Sequence, residues 1–315
     1  MPDSANFSSP NLGPGFDSGL GHVPVVAPKT TTPQTPTPPT PSAPTQRPRE
    51  ITWVWDIPFD RVDMEGAIRA IGDQVNSKQP GYVITANLNY AMLHHRQADV
   101  RRITEDADLI LADGQPIVWR SRLTGKPLPT RVAGSELIYR LAELAADRQW
   151  GIYFLGGQPG VGQTCAEALA RQFPGMRIAG VDSPPFGRVS AAQRQATLQR
   201  IRDAKPEILL VAFGQPKGER WIHEHYRSLG VPVSIQLGAS FDFIAGTAKR
   251  APVPFRKAGL EWAYRAASDP RRLIPRYASN ATFLCGALLR DWQRKVESWG
   301  MGIGRSDLPP QGRHG

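Results

Sequence analysis

The sequence predicts a layered α/β domain built on a mainly parallel sheet. Three observations predict it. From Ile51 to Leu237, short apolar runs alternate with longer stretches whose apolar residues recur at helical spacing. Some of the short runs are apolar almost throughout, Ile208–Phe213 above all, as strands are when both faces are covered. Two of them end in small polar strings, Thr85-Ala86-Asn87 and Asp113-Gly114. Together these features point to a Rossmann-like fold, whose ligands sit at the carboxyl ends of the strands.

The elements follow in order. Ile51–Ile57 reads as a first strand. Met64–Val75 reads as a helix, with Met64, Ala67, Ile68, Ile71 and Val75 on one face. Tyr82–Ile84 is a strand, Met92–Ile103 a helix and Leu109–Ala112 a strand. Ser135–Ala146 is a strong helix, with Leu137, Ile138, Leu141 and Leu144 on one face. Gly151–Gly157 is a strand running into a glycine turn. Val161–Phe173 is a helix, Arg177–Val181 a strand and Ala191–Asp203 a helix. The apolar strand Ile208–Phe213 precedes a helix over Trp221–Leu229 and a last strand over Val233–Leu237.

Residues 1–49 are rich in Pro, Thr, Ser and Gly. They hold too few large apolar residues to offset chain entropy, so a disordered tail is expected there. The α/β core is expected over 50–245. A short, basic helical appendage is expected over 246–300, as two or three short helices, and a disordered tail over 301–315. The net charge of +10 is uneven. Residues 246–300 carry +7, from eleven Lys/Arg against four Asp/Glu, whereas 51–245 carry +2. A core so close to neutral argues against a nucleic-acid partner. Trp262, Tyr264 and Tyr277 beside those cations suit the headgroup layer of an anionic membrane surface. The two cysteines make no disulfide framework. The start of the chain has neither a basic segment nor an apolar run, so no secretory signal is expected.

Thr85, Asn87 and Asp113 fall at corresponding ends of neighbouring strands. A hydroxyl, an amide and a carboxylate therefore meet, and the carboxylate suits a general base. The common alternative for Asp113 is a helix N-cap, with Pro116 in the first turn. Gly156 and Gly157 open a strand–turn–helix unit whose backbone N–H groups can receive phosphate. Residues 157–164 match GxxxxG-x-[ST], but Gln163 stands where a P-loop has its lysine, which argues against an NTPase. The turn from Gly214 to Trp221 offers Lys217 and Arg220 as counter-charges to phosphate. Gly238–Asp242 is built of small residues that let backbone approach a ligand. Asp106-Ala107-Asp108 looks like a metal-holding DxD string. It precedes its strand, on the opposite edge, so no metal is expected there. His94, His95, His223 and His225 are spaced so that no pair faces one metal from one helix, and they are expected at the surface. No cofactor is expected.

These strings together resemble one bacterial glycosyltransferase family, the WecG/TagA/CpsF type, which includes the wall teichoic acid N-acetylmannosaminyltransferase. The resemblance spans about residues 51–277. It rests on TAN over 85–87, the AD-x-x-x-x-DG run over 107–114 and LP-x-RVAGSEL over 128–137. It continues with FLGG-x-P over 154–159, FGQPKGE over 213–219, GASFDFIAG over 238–246, RAP over 250–252 and GLEWAYR…DPRRLIPRY over 259–277. The resemblance implies transfer of a sugar from a UDP-sugar to a polyprenyl-diphosphate-linked sugar in cell-surface polysaccharide synthesis. The enzyme would be cytoplasmic and peripheral on the inner face of the bacterial plasma membrane, inverting and metal-independent. It implies Asp113 as the general base, with Thr85, Asn87 and Arg131 as polar residues of the active site. It implies substrate contacts for Gly156, Gly157, Gln215, Lys217, Glu219, Gly238 and Asp242. Arginines of the basic segment, with Arg250, Arg265, Arg271, Arg272 and Arg276 as candidates, would close over the diphosphate. The family usually has Pro-Lys-Gln-Glu where this chain has Pro216-Lys217-Gly218-Glu219, so its substrate-side glutamine is absent and Gln215 stands elsewhere in the turn. The alternative is a sugar-nucleotide-binding protein with reduced or lost transferase activity. The donor sugar, the acceptor and the oligomeric state, a homo-oligomer included, stay open.

Overall fold

The computed structural model describes residues 49–184, 190–248, 251, 252, 255, 264, 266, 267 and 270–303. Of residues 272, 294, 295 and 297–303 it describes the backbone alone. Arg250 and Arg265, the side chain of Arg272 and almost all of the two expected tails lie outside the described residues.

The described chain opens with a hairpin. Strands β1 (Ile51–Val54) and β2 (Ile57–Asp60) pair antiparallel. The single strand expected over Ile51–Ile57 is broken because Trp55 and Asp56 take positive φ, 50° and 64°. Two such residues make the tight turn whose twist suits a hairpin. Asp60, 5% exposed, receives Arg49 Nε at 2.7 Å and Ile110 N at 2.7 Å, which ties the hairpin to the main sheet.

That sheet holds β3 (Gly81–Ala86), β4 (Leu109–Ala112), β5 (Gly151–Gly156), β6 (Arg177–Asp182), β7 (Ile208–Ala212) and β8 (Val233–Gln236). Its order is β4-β3-β8-β7-β5-β6, and every pairing is parallel. All but the edge strand β6 are buried along their whole length, which is why their sequences are so apolar. One face is covered by α1 (Met64–Ser77), α5 (Gly134–Arg148), α6 (Val161–Gln172) and α9 (Ser240–Ile244), with Ile71, Leu137, Phe154 and Phe241 fully buried between. The other face is covered by α2 (Leu88–Arg96), α3 (Ala98–Glu105), α4 (Gln115–Ser121), α7 (Ala191–Ala204), α8 (Lys217–Leu229) and the hairpin. The single helix expected over Met92–Ile103 is two helices, because Gln97 turns extended at φ −126° and ψ 117°.

The last described element is α10 (Pro270–Ile303), one helix of 34 residues where short helices were expected. It is docked on the core rather than hanging from it. Phe283 and Ala287 are buried, and the Phe283 ring meets Trp55 edge-on at 5.7 Å. Arg120 grips Asp291 with two hydrogen bonds, Nε to Oδ2 at 2.5 Å and Nη2 to Oδ1 at 2.8 Å. Both side chains are more than four-fifths buried, so removing one would leave the other's charge poorly solvated. Among the described residues no helix is long and apolar enough to cross a membrane.

Candidate active site

Because the six strands are parallel, their carboxyl ends share one edge. The chain leaves β3 for α2 on one face and leaves β8 for α9 on the other. It likewise leaves β7 for α8 on one face and β5 for α6 on the other. These strands are neighbours in the order β3-β8-β7-β5, so the divergences open crevices along this edge, and two of them lie between β3 and β8 and between β7 and β5.

At the first crevice, Thr85 Oγ1 donates to Gln236 O at 3.1 Å across the strand junction. Asp113 follows β4 and is held by its N–H on Ala86 O at 2.9 Å. Gly134 begins α5 alongside. A Cβ there would lie 3.6 Å from Asp113 Oδ2 and 3.6 Å from Thr85 Oγ1. The carboxylate and the hydroxyl thus converge on one spot that a glycine keeps open. Asp113 is not the cap of α4, because Gly114 takes that position and makes no side-chain cap bond. Asn87 does cap α2, its Oδ1 accepting from Tyr90 N at 3.1 Å. Arg131 lies on the loop before α5, its Nη2 3.5 Å from Glu136 Oε1.

At the second crevice, Gly156 and Gly157 have φ of 102° and 80°, the left-handed region that glycine tolerates. A side chain at Gly156 would strike the Phe213 ring, 2.8 Å away. Gln215 Oε1 accepts from Asn89 Nδ2 at 3.1 Å, which links the turn after β7 to α2 and so joins the two crevices. Lys217 is exposed in the first turn of α8. Glu219, in the same first turn, is 3% exposed and its Oε2 has no hydrogen-bond partner. Burial pushes its carboxyl up to about 7, against the opposing pull of Gln215, Arg276 and Arg220. Arg276 and Arg271 stand exposed on α10, and Arg276 is near enough to bias the Glu219 charge. Gly238 (φ 54°) turns the chain into α9, where the Asp242 carbonyl accepts from Thr247 Oγ1 at 3.2 Å.

Several expectations change. His94 and His225 are buried, not superficial. His94 Nδ1 lies 3.0 Å from Thr104 Oγ1, and His225 packs edge-on to Trp221 at 5.0 Å. Burial lowers the pKa of both, which keeps them neutral. Asp106 and Asp108 lie at the opposite edge, as expected. Asp106 pairs with His223 at 2.8 Å and Asp108 accepts from Tyr82 N at 2.9 Å. Three contributors escaped the reading of single residues: Asn89, Gly134 and Gln236. Gln236 left one signal, a carboxamide closing the short strand Val-Ser-Ile-Gln, which is buried throughout.

Glu219 gives the site a measurable pH dependence. The carboxyl titrates about 7 in the folded chain against 4.5 ordinarily. Below pH 4.5 both folded and unfolded states hold the proton, and stability is unaffected. As pH rises further the unfolded chain releases its proton first, so stability falls, by roughly 3 kcal/mol once above the folded value. Glu219→Gln should flatten this decline in urea titrations from pH 5 to 8. An unchanged slope would show that Glu219 is ionised at low cost.

The profile of the "Glycosyl transferase WecG/TagA/CpsF family" matches residues 52–297. A Bacillus spizizenii protein named N-acetylglucosaminyldiphosphoundecaprenol N-acetyl-beta-D-mannosaminyltransferase is 32% identical over 210 residues, 65% of this chain and 80% of its own. A Bacillus subtilis protein of the same name is 30% identical over 231 residues, 71% of this chain and 88% of its own. A Staphylococcus aureus namesake is 33% identical over 195 residues, 61% and 74% of the two chains. A match over most of the chain, on a fold that gathers the expected polar residues at one edge, makes this protein a member of the WecG/TagA/CpsF glycosyltransferase family.

Proposed function

We propose that this enzyme transfers an N-acetylhexosamine from a UDP-sugar to a polyprenyl-diphosphate-linked sugar, with inversion and with Asp113 as the base. The observation that carries the reading is the convergence of Asp113 and Thr85 beside Gly134, at the carboxyl edge of a parallel sheet. The relatives' names make N-acetylmannosamine, moved onto N-acetylglucosaminyl-diphosphoundecaprenol, the first pair to try.

In a single displacement, an acceptor hydroxyl attacks the anomeric carbon as its proton passes to the Asp113 carboxylate. The new C–O bond forms on one side while the bond to the diphosphate breaks on the other, so the configuration inverts. UDP leaves with the bonding electrons. Its charge is met by the start of α6 after Gly156 and Gly157, by the start of α8 with Lys217, and by Arg271 and Arg276. Thr85, Asn87 and Arg131 orient the sugar hydroxyls. Asp113→Asn keeps the shape and removes the base. Turnover should fall by roughly 100-fold or more, with UDP affinity retained. Turnover within a few-fold of wild type would remove Asp113 from this role.

A lipid acceptor also accounts for the outer face of α10. Leu288, Leu289, Trp292 and Val296 are exposed there at helical spacing, with Arg290 among them. Trp119 and Leu123, beside the Arg120 that grips α10, are exposed too. In this reading that surface rests on the anionic inner face of the membrane, held by apolar insertion and by cations. Leu289→Asp with Trp292→Asp should lower affinity for anionic vesicles by roughly tenfold or more. Unchanged sedimentation with vesicles at low salt would reject this surface.

A further inference from the structure

Residue 218 is where the Gly214–Trp221 turn departs from its family pattern, and the space its side chain would take is already filled. Gly218 is buried in the first turn of α8. A Cβ there would sit 2.5 Å from Cδ and 3.0 Å from Cγ of Gln236. Gln236 closes β8, is 3% exposed, and reaches that space from the opposite side. With its amide oriented donor to acceptor, Nε2 donates to Val211 O at 2.7 Å. Oε1 then accepts from Gly214 N at 3.0 Å and from Gly238 N at 3.3 Å. Both glycines have positive φ, 75° and 54°, and lie in the turns that follow β7 and β8. One buried carboxamide therefore fastens two adjacent turns of the carboxyl edge.

We infer that Gln236 is the positioning residue of the donor site: its carboxamide, delivered from β8 into the volume that residue 218 would fill from α8, fixes the turns against which the donor diphosphate lies. The inference rests on the transferase reading. Its physical content is a coupling. Gln236 cannot swing aside without taking its acceptor from the Gly214 and Gly238 N–H groups, although Val211 O would keep Leu237 N at 2.9 Å. Glutamine at 236 thus demands glycine at 218, and a long side chain at 218 demands a small residue at 236. The sequence satisfies the first arrangement, and the second should serve as well.

The test is a double-mutant cycle in the full chain: Gly218→Gln, Gln236→Gly and both together. Gly218→Gln should lower kcat/KM for the donor about tenfold or more through the clash. Gln236→Gly should raise the donor KM about tenfold and leave the acceptor KM unchanged. The double variant should return to within about threefold of wild type, because the carboxamide is restored from the other side. If Gly218→Gln alone does not fold, Gly218→Ala reports the clash in its place as the single variant, and the double variant keeps glutamine at 218. A double variant no better than the worse single, or a Gln236→Gly enzyme with wild-type donor KM, overturns the inference. Recovery of Tm without recovery of donor KM overturns it too, since packing alone would do that. UDP affinity by calorimetry must follow the same pattern across the four proteins. If wild type binds UDP but turns over no UDP-sugar, the transferase reading fails, and the affinity pattern still decides the role of Gln236.

Discussion

The parallel register of one sheet is the constraint on which this site depends. Ala86 pairs with Ala112 and Val211 with Gln236, so the residues that follow β3, β4, β7 and β8 emerge side by side. Five of the six strands are covered on both faces, and such strands admit little polarity within their length. Polar side chains are pressed toward the ends. Thr85, Asp113, Gln215 and Gln236 reach the same edge for that reason, and glycines at 134, 156 and 157 keep it open. A slip of one residue between β3 and β4 would turn the strand over and take Asp113 from the crevice.

The basic C-terminal segment enters this picture through α10. Phe283 under Trp55 and the Arg120–Asp291 pair hold the helix against the hairpin and α4. Its first turns then present Arg276 near Glu219, at the start of α8. Charge that seemed remote from the sheet in sequence is therefore brought to its carboxyl edge. Glu219 shows the consequence, a buried carboxyl raised by desolvation yet pulled down by the cations around it. An anion bound at this edge would be coupled to the ionisation of Glu219, since both would draw on the same positive field.

Much of this was legible in sequence because it rests on local periodicity. The strands before Thr85 and Asp113, and the helix after Gly134, are marked by apolar spacing alone. The hairpin was not, because Trp55 and Asp56 adopt left-handed backbone without the glycine that would signal it. Nor was the break at Gln97, a residue common in helices. His94 and His225 looked superficial because their burial depends on Thr104 and Trp221, which are partners in space. Gly218 read as a loss, since the carboxamide that fills its place comes from another strand. The family match covers residues 52–297 and gives the chemistry, whereas these contacts give the positions.

Amide hydrogen exchange of the full chain, with and without UDP, tests most directly whether the carboxyl edge is the donor site. The expected result is slowed exchange in the turns over 156–162, 213–218 and 236–240, with the β1–β2 hairpin unchanged. A separate cleft, lined by Arg49, Trp53, Thr104 and Glu105, lies beside that hairpin. Slowing confined to this cleft, or no slowing at saturating UDP, would contradict the assignment.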